Sequence, residues 1–446
     1  MAISKIIPNS LDLTQDFTLN GMAVGKGGGA ISSNTAVGAS ALTSNTTGAQ
    51  NTAVGYNALP NNTTASENTA VGHQALNSNT TGEQSVAIGR LALNSTTTGS
   101  YNTAVGKSAL QSNTTASYNT AVGYQATYSN TTSSGITSVG YQAGYSTTGR
   151  DNTYIGYYAG LWLTSGLENT AVGKSALLGT NGSATGGGNS AFGVASLASV
   201  TSGNYDVAIG NYSLTSNTSG SNNTAVGYQA LQANTTSSNQ TAVGYQAAYA
   251  NTTGNVITAF GSQAGRTNTT GNAVTAIGYL ALYNSNADRL TAVGQQALYS
   301  NTSGTDNVAM GHQAAYSTTT GVNNVALGTQ ALYSNTTSSN IVAIGYQAGY
   351  LNTKYVTAVG AYALANNTAD YNTAIGGECG QYNTSGNVTA LGWYALRANT
   401  TGTQNTSVGQ SSLQVNTTGG SNTAVGYAAL YNNTTGGSNS AFGPYS

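Results

Sequence analysis

The chain has 446 residues, of which 59 are glycine and 30 tyrosine, and only 5% are charged. Length alone would suggest two or three globular domains, but such domains carry about a quarter charged residues, so composition speaks against them. Ten basic against eleven acidic side chains leave a net charge of −1 with no basic stripe, which excludes partners that need one: nucleic acid and anionic membrane surface.

In chain order, residues 1–20 read as a leader and attachment segment, MAISKIIPNSLDLTQDFTLN. It lacks the apolar core of a signal peptide, and no run of 18 apolar residues occurs elsewhere. Gly25-Lys26-Gly27-Gly28-Gly29 follows. Without G-K-[ST] or a flanking βα unit it is not a phosphate loop, and it reads as a flexible joint.

Residues 21–446 form one repeat array whose most regular unit is N-T-A-V-G-Y-Q-A-L-x-S-N-T-T-G-x-x. Indexed on the glycine of AVG, about 26 copies run from Gly25 to Gly443, most of them spaced as Gly38, Gly55, Gly72 and Gly89 are. The step grows to 20 between Gly173 and Gly193 and shrinks to 15 between Gly345 and Gly360. Both changes spare the AVG and QAL segments, as expected if those are strands and the polar part is a turn. A short period rich in Gly, Asn and Thr predicts an all-β fold, a parallel β-solenoid or β-roll of about 26 coils of roughly 17 residues. At about 4.8 Å per coil, the rod would be on the order of 120 Å long.

Each column of the repeat has a reading. The residue before the glycine is always apolar, and it is assigned as the core ladder: Val37, Val54, Val71, Ile88, Val105, Val122, Phe192, Ile209, Val226, Val243, Phe260 and Ile277. Alanine two places before the glycine and again three after it points to close packing against another coil or chain. The residue after the glycine tolerates Tyr, His, Arg, Lys and Trp, so it faces solvent. Four places after it stands Leu; where that Leu shrinks, a tyrosine often follows (Tyr128, Tyr145, Tyr249, Tyr316, Tyr350), which reads as an exchange of packing volume. The Asn of NTTG (Asn45, Asn79, Asn113) is expected to stack as an asparagine ladder.

Two apolar ladders per coil are thin support against the entropy of ordering a whole coil of backbone. Burial of the alanine and tyrosine columns between chains would supply the rest, so an intertwined or laterally packed homotrimer is expected.

Catalytic and ligand-binding chemistry is not expected. The eleven acids are scattered, so no paired carboxylates for glycoside cleavage are predicted. His73 and His312 share a column about 14 coils apart, too far for one metal site. Cys379 takes an alanine slot and can form no intrachain disulfide. Catalytic residues, cofactors and metals are accordingly read as none.

Ser85-Val86-Ala87-Ile88-Gly89, Asp206-Val207-Ala208-Ile209-Gly210 and Ile341-Val342-Ala343-Ile344-Gly345 resemble the head repeats of trimeric autotransporter adhesins, left-handed parallel β-rolls made by three chains. The coil here is longer because of NTTG, and no coiled-coil stalk or membrane anchor is expected. The NTAVGYQAL…NTTG array and the opening Met1-Ala2-Ile3-Ser4-Lys5-Ile6 with Leu11-Asp12-Leu13-Thr14 are similar to virion fibre proteins of bacteriophages.

That resemblance implies a non-enzymatic fibre of a phage virion, a tail fibre or similar appendage, assembled in the host cytoplasm. The leader would dock on a baseplate, tail or capsid protein. Tyr56, Tyr124, Tyr228 and Tyr245 would offer a contact surface for host-surface glycan. The chain stops half a coil after Gly443, which leaves the alternative of a self-polymerising filament or adhesin subunit at the cell surface.

Overall fold

A computed structural model describes residues 16–19, 22–180, 184–351 and 355–446; most of the proposed leader lies outside them. The chain falls into two compact units, Met1–Gly220 and Ser221–Ser446. Among the described residues the only helix is the short 3-10 turn Gly28–Ala30, and every other element is a β-strand.

The first unit opens with two strands, β1 (Phe17–Leu19) and β2 (Met22–Gly25), paired antiparallel. β2 then pairs antiparallel with β3 (Thr35–Val37) through Val24↔Val37. Gly25 therefore belongs to a hairpin laid across the start of the array, and the coils begin one copy later. Gly28 N donates to Leu42 O (2.8 Å), and a Cβ on Gly28 would lie 2.4 Å from Thr43 O. The glycine-rich stretch expected to be a flexible joint is instead docked on the first coil.

Within each unit, from β3 onward, each strand of three or four residues pairs in parallel with the strand of the next coil, in column register: Thr35↔Thr52, Ala36↔Ala53, Val37↔Val54. Among the described residues eleven such strands lie in the first unit, ending at Val207–Ile209. Fourteen lie in the second, from Thr224–Val226 to Ser440–Phe442. Both units are thus parallel β-solenoids, with the coil length read from the sequence. The indexed glycine turns the chain out of the strand. Gly123 has φ 140°, and a Cβ there would lie 2.2 Å from Gly140 O, so conformation and space both require glycine.

The interior differs from the expected one. Alanine at the middle of each strand (Ala53, Ala70, Ala87, Ala104) is wholly buried, as are the second alanine and the leucine after it (Ala58, Leu59; Ala75, Leu76). The assigned core ladder lies on the outer face. Val37, Val54, Val71, Val105, Val122, Val226 and Val243 are half-buried in the single chain. Ile88, Phe192, Ile209, Phe260 and Ile277 are exposed, Phe260 by 56%. Alternation forces alanine and valine to opposite faces, and two facing walls of a narrow coil leave room only for the smaller one. The alanine columns expected between chains are covered within each chain.

Asparagine fills the remaining interior. In the NTTG column Asn62 Nδ2 donates to Asn45 Oδ1 (2.9 Å) and Asn79 Nδ2 to Asn62 Oδ1 (3.1 Å), so the expected ladder forms there; Thr96 interrupts it before Asn113, whose Nδ2 donates to Thr96 Oγ1 (3.2 Å). A second ladder comes from the Asn of NTAVG. Asn34 Oδ1 accepts from Asn51 N (2.9 Å) and Asn51 Oδ1 from Asn68 N (3.0 Å), which serves buried amides that would otherwise be costly. Where Leu shrinks, this second asparagine often becomes apolar and buried instead (Ile136, Ile257, Val274, Val356, Val388). Volume returns inside the coil there, whereas Tyr128, Tyr145, Tyr249, Tyr316 and Tyr350 sit half-buried on its outer surface.

Candidate functional site

With alanine, leucine and asparagine enclosed, the outer surface carries two kinds of unpartnered ladder. The first is apolar. In the first unit Val37, Val54, Val71, Ile88, Val105, Val122 and their successors to Ile209 stand one per coil without a polar interruption. In the second unit the same holds from Val226 to Phe442. Thr or Val two residues earlier shares this face (Thr52, Thr69, Val86). Phase is kept by parallel pairing, and neighbouring side chains repeat at the strand spacing of about 4.8 Å. This stripe is the most continuous apolar surface that each unit leaves outside its coil.

The second kind is aromatic. Tyr56 stacks on His73 (centroids 5.4 Å apart) and Tyr228 on Tyr245 (5.7 Å). Tyr124 is held between Tyr141 (5.1 Å) and the ammonium of Lys107 (5.5 Å). All four tyrosines proposed for glycan contact are therefore on the outside, but each spends at least one ring face on a neighbour in its own column. For Tyr124 both faces are taken. Four places further along, Tyr283, Tyr299, Tyr316, Tyr333 and Tyr350 form a stack of five rings at 5.1–5.4 Å, with planes within 13°. A glutamine ladder runs beside it: Gln313 Nε2 donates to Gln296 Oε1 (3.0 Å), Gln330 to Gln313 (3.1 Å) and Gln347 to Gln330 (2.7 Å).

Regularity breaks in the coils after Gly345, where the steps to Gly360, Gly376 and Gly392 are all shorter than usual. Trp393 lies here with its ring over Gly377, where a Cβ would come within 2.8 Å of it. Arg397 pairs with Glu378 (2.8 Å) and sits over the rings of Tyr394 (5.0 Å) and Tyr382 (5.7 Å). Cys379 occupies its alanine slot, buried, and desolvation pushes its thiol up to about 12. A buried protonated thiol is unreactive.

Sequence reasoning placed Tyr56, Tyr124, Tyr228 and Tyr245 outside, read Tyr316 and Tyr350 as packing volume, and missed the stacking in both columns. The signal was available: tyrosines recur once per coil in one column (Tyr283, Tyr299, Tyr316), and parallel in-register coils turn such a column into face-to-face rings. Among the described residues, no cluster of three or more His, Cys, Asp or Glu side chains could hold a metal ion. No helix there is long and apolar enough to cross a membrane. Comparison of the sequence with protein-family models and with curated proteins finds no match.

Proposed function

We propose that this chain is the shaft subunit of a structural fibre, a homotrimer that packs along its Thr–Val face and serves a phage virion as a rigid, non-enzymatic spacer with a host-adhesion surface. The observation that carries the reading is the uninterrupted apolar ladder on the outer face. A partner must present apolar groups at the same spacing of about 4.8 Å over many coils. A second copy of this repeat is commensurate with it by construction; an ordinary globular surface is not. Three copies can each turn one face to a common axis, and closed symmetry leaves no apolar face over. The aromatic columns then remain outward, where they meet the host surface.

Single-cysteine crosslinking tests this reading. In a Cys379→Ala background, Val105→Cys should form interchain disulfides on mild oxidation, because equivalent residues meet at the axis. Glu67→Cys, on an exposed turn, should not. Crosslinks at Glu67→Cys alone, or at neither position, would reject the arrangement. Deletion of residues 1–20 should abolish attachment to virions and leave the oligomer intact. Polymerisation of that deletion into open filaments would favour the cell-surface filament instead.

A further inference from the structure

The tyrosine stack of the second unit ends on an open face. Its last ring is Tyr350; in the same column the next coil carries Ala365 and the one after it Gln381. Leu351 N donates to Ala365 O (2.9 Å) and Asn366 N to Gln381 O (3.0 Å), which keeps the three coils in step. The outer face of Tyr350 thus looks across one methyl group towards a carboxamide two coils, or roughly 10 Å, away. A cleft of about 230 Å³ opens there, lined by Tyr350, Tyr362, Ala365, Gln347, Asn366 and Gln381.

The polar groups around this cleft are held in place with capacity to spare. Gln347 is the last rung of the glutamine ladder and donates down to Gln330 (2.7 Å). Above it the column holds Tyr362, not another amide, so its Oε1 is left to accept. Gln381 Oε1 accepts from Arg397 Nε (3.1 Å), and Arg397 is itself fixed by Glu378 (2.8 Å). That fixes the Gln381 carboxamide and leaves its NH2 to donate. None of the six lining residues is charged.

The same column shows what a gap of this width admits. Arg266 stands where a tyrosine would be, between Tyr249 and Tyr283, and its guanidinium lies over both rings at 5.2 and 5.6 Å. One missing ring therefore leaves room for one flat group. At Ala365 no side chain of this chain takes that room.

We infer that the cleft binds a single neutral pyranose ring of a glycan. Its C–H face lies on Tyr350, and its hydroxyl edge meets the amides of Gln347, Asn366 and Gln381. An aromatic platform with convergent amides suits a group that is apolar on one face and rich in hydroxyls at its edge. The lining holds no charged group to pair with a carboxylate or phosphate. The volume lies below the roughly 300–1,000 Å³ of pockets for drug-sized ligands, so one ring fills it. This deepens the adhesion role proposed above, on which it rests, and is independent of oligomeric state.

Saturation-transfer NMR on the full chain tests it, with the methyl glycosides of glucose, galactose and mannose as probes and N-acetylneuraminic acid as the charged comparator. At least one neutral glycoside should receive saturation, and the acid should not. Ala365→Tyr supplies the ring that the five preceding coils hold in this column and covers Tyr350; it should lower affinity at least tenfold without lowering the melting temperature. Gln381→Ala, which leaves the ring stack untouched, should weaken binding severalfold. Transfer to none of the neutral glycosides, transfer to the acid alone, or unchanged affinity in both variants would overturn the assignment. A monomeric mass with binding retained would instead reject the trimeric fibre and leave the cleft standing.

Discussion

At the scale of single residues, the interior is a matter of volume. Tyr154 stands in the alanine column yet is wholly buried, because the leucine slots beside it hold Gly144 and Gly160. A Cβ on Gly160 would lie 2.3 Å from the Tyr154 ring, and one on Gly144 2.7 Å. Tyr154→Ala should cost about 3–5 kcal/mol, the range for emptying a large aromatic site. Gly160→Leu alone should be at least as harmful, and the double change, which restores the common pattern, should recover much of the loss. Thermal or denaturant unfolding of the three variants checks this coupling. The exchange was readable from the columns, but only once alanine, not valine, is known to be the inward residue.

Buried acids give the protein an asymmetric response to pH. Burial raises the Tyr154 hydroxyl above its usual value near 10, and pushes the Cys379 thiol from about 9 to about 12. Both groups keep their protons in the fold at pH values where the unfolded chain has lost them, so their stabilisation is complete below about pH 9 and drains away as pH rises to 12. On the acid side Asp306 is held down at about 2 by its hydrogen bond from Arg289. Its contribution is present above about 3.8 and lost as pH falls through 2, and as an exposed pair it is small. Melting temperature should be flat from pH 5 to 8 and fall beyond pH 9. Cys379→Ala, which restores the usual residue of its column, should match the parent at pH 7 and melt higher at pH 11. Equal melting at pH 11 would remove Cys379 from this account.

At the scale of the coil, stability comes from ladders, and much of this was legible. The period, the parallel in-register strands at AVG and the NTTG asparagine ladder follow from spacing, whereas QAL, expected as a strand, is a turn with Gln74 and Leu76 at positive φ, and the indels lie partly outside the described residues. The asparagine of NTAVG was not recognised, because one residue type serves two different ladders in each repeat. Which face of the strand is inside was also misread. Hydrophobicity ranks valine above alanine, but a thin coil admits only the smaller side chain. Removing one rung tests the ladder: Asn68 donates to Gly82 O (2.9 Å) and accepts from Ser85 N (3.0 Å) while fully buried. Asn68→Ala should therefore destabilise by about 1–3 kcal/mol for the amides left unpaired. Asn77→Ala, at a half-buried turn position, should stay within about 0.5 kcal/mol. Similar losses at both positions would mean that the ladder is not what holds the coil.

At the scale of the whole molecule, the misread column becomes the informative one. The exposed ladder is the face along which the proposed homotrimer packs. The expectation of a homo-oligomer came from scarcity of buried apolar surface, and the proposed trimer would complete that surface on the outward column. The measurement that bears on this most directly is the solution mass of the full chain by light scattering, alongside a Val54→Asp, Val71→Asp, Ile88→Asp variant. The account predicts a discrete species near three times the 44.6 kDa chain mass for the parent, and a smaller species with unchanged β-content for the variant. A parent that is a stable monomer, or a variant that keeps the parent's mass, would contradict it.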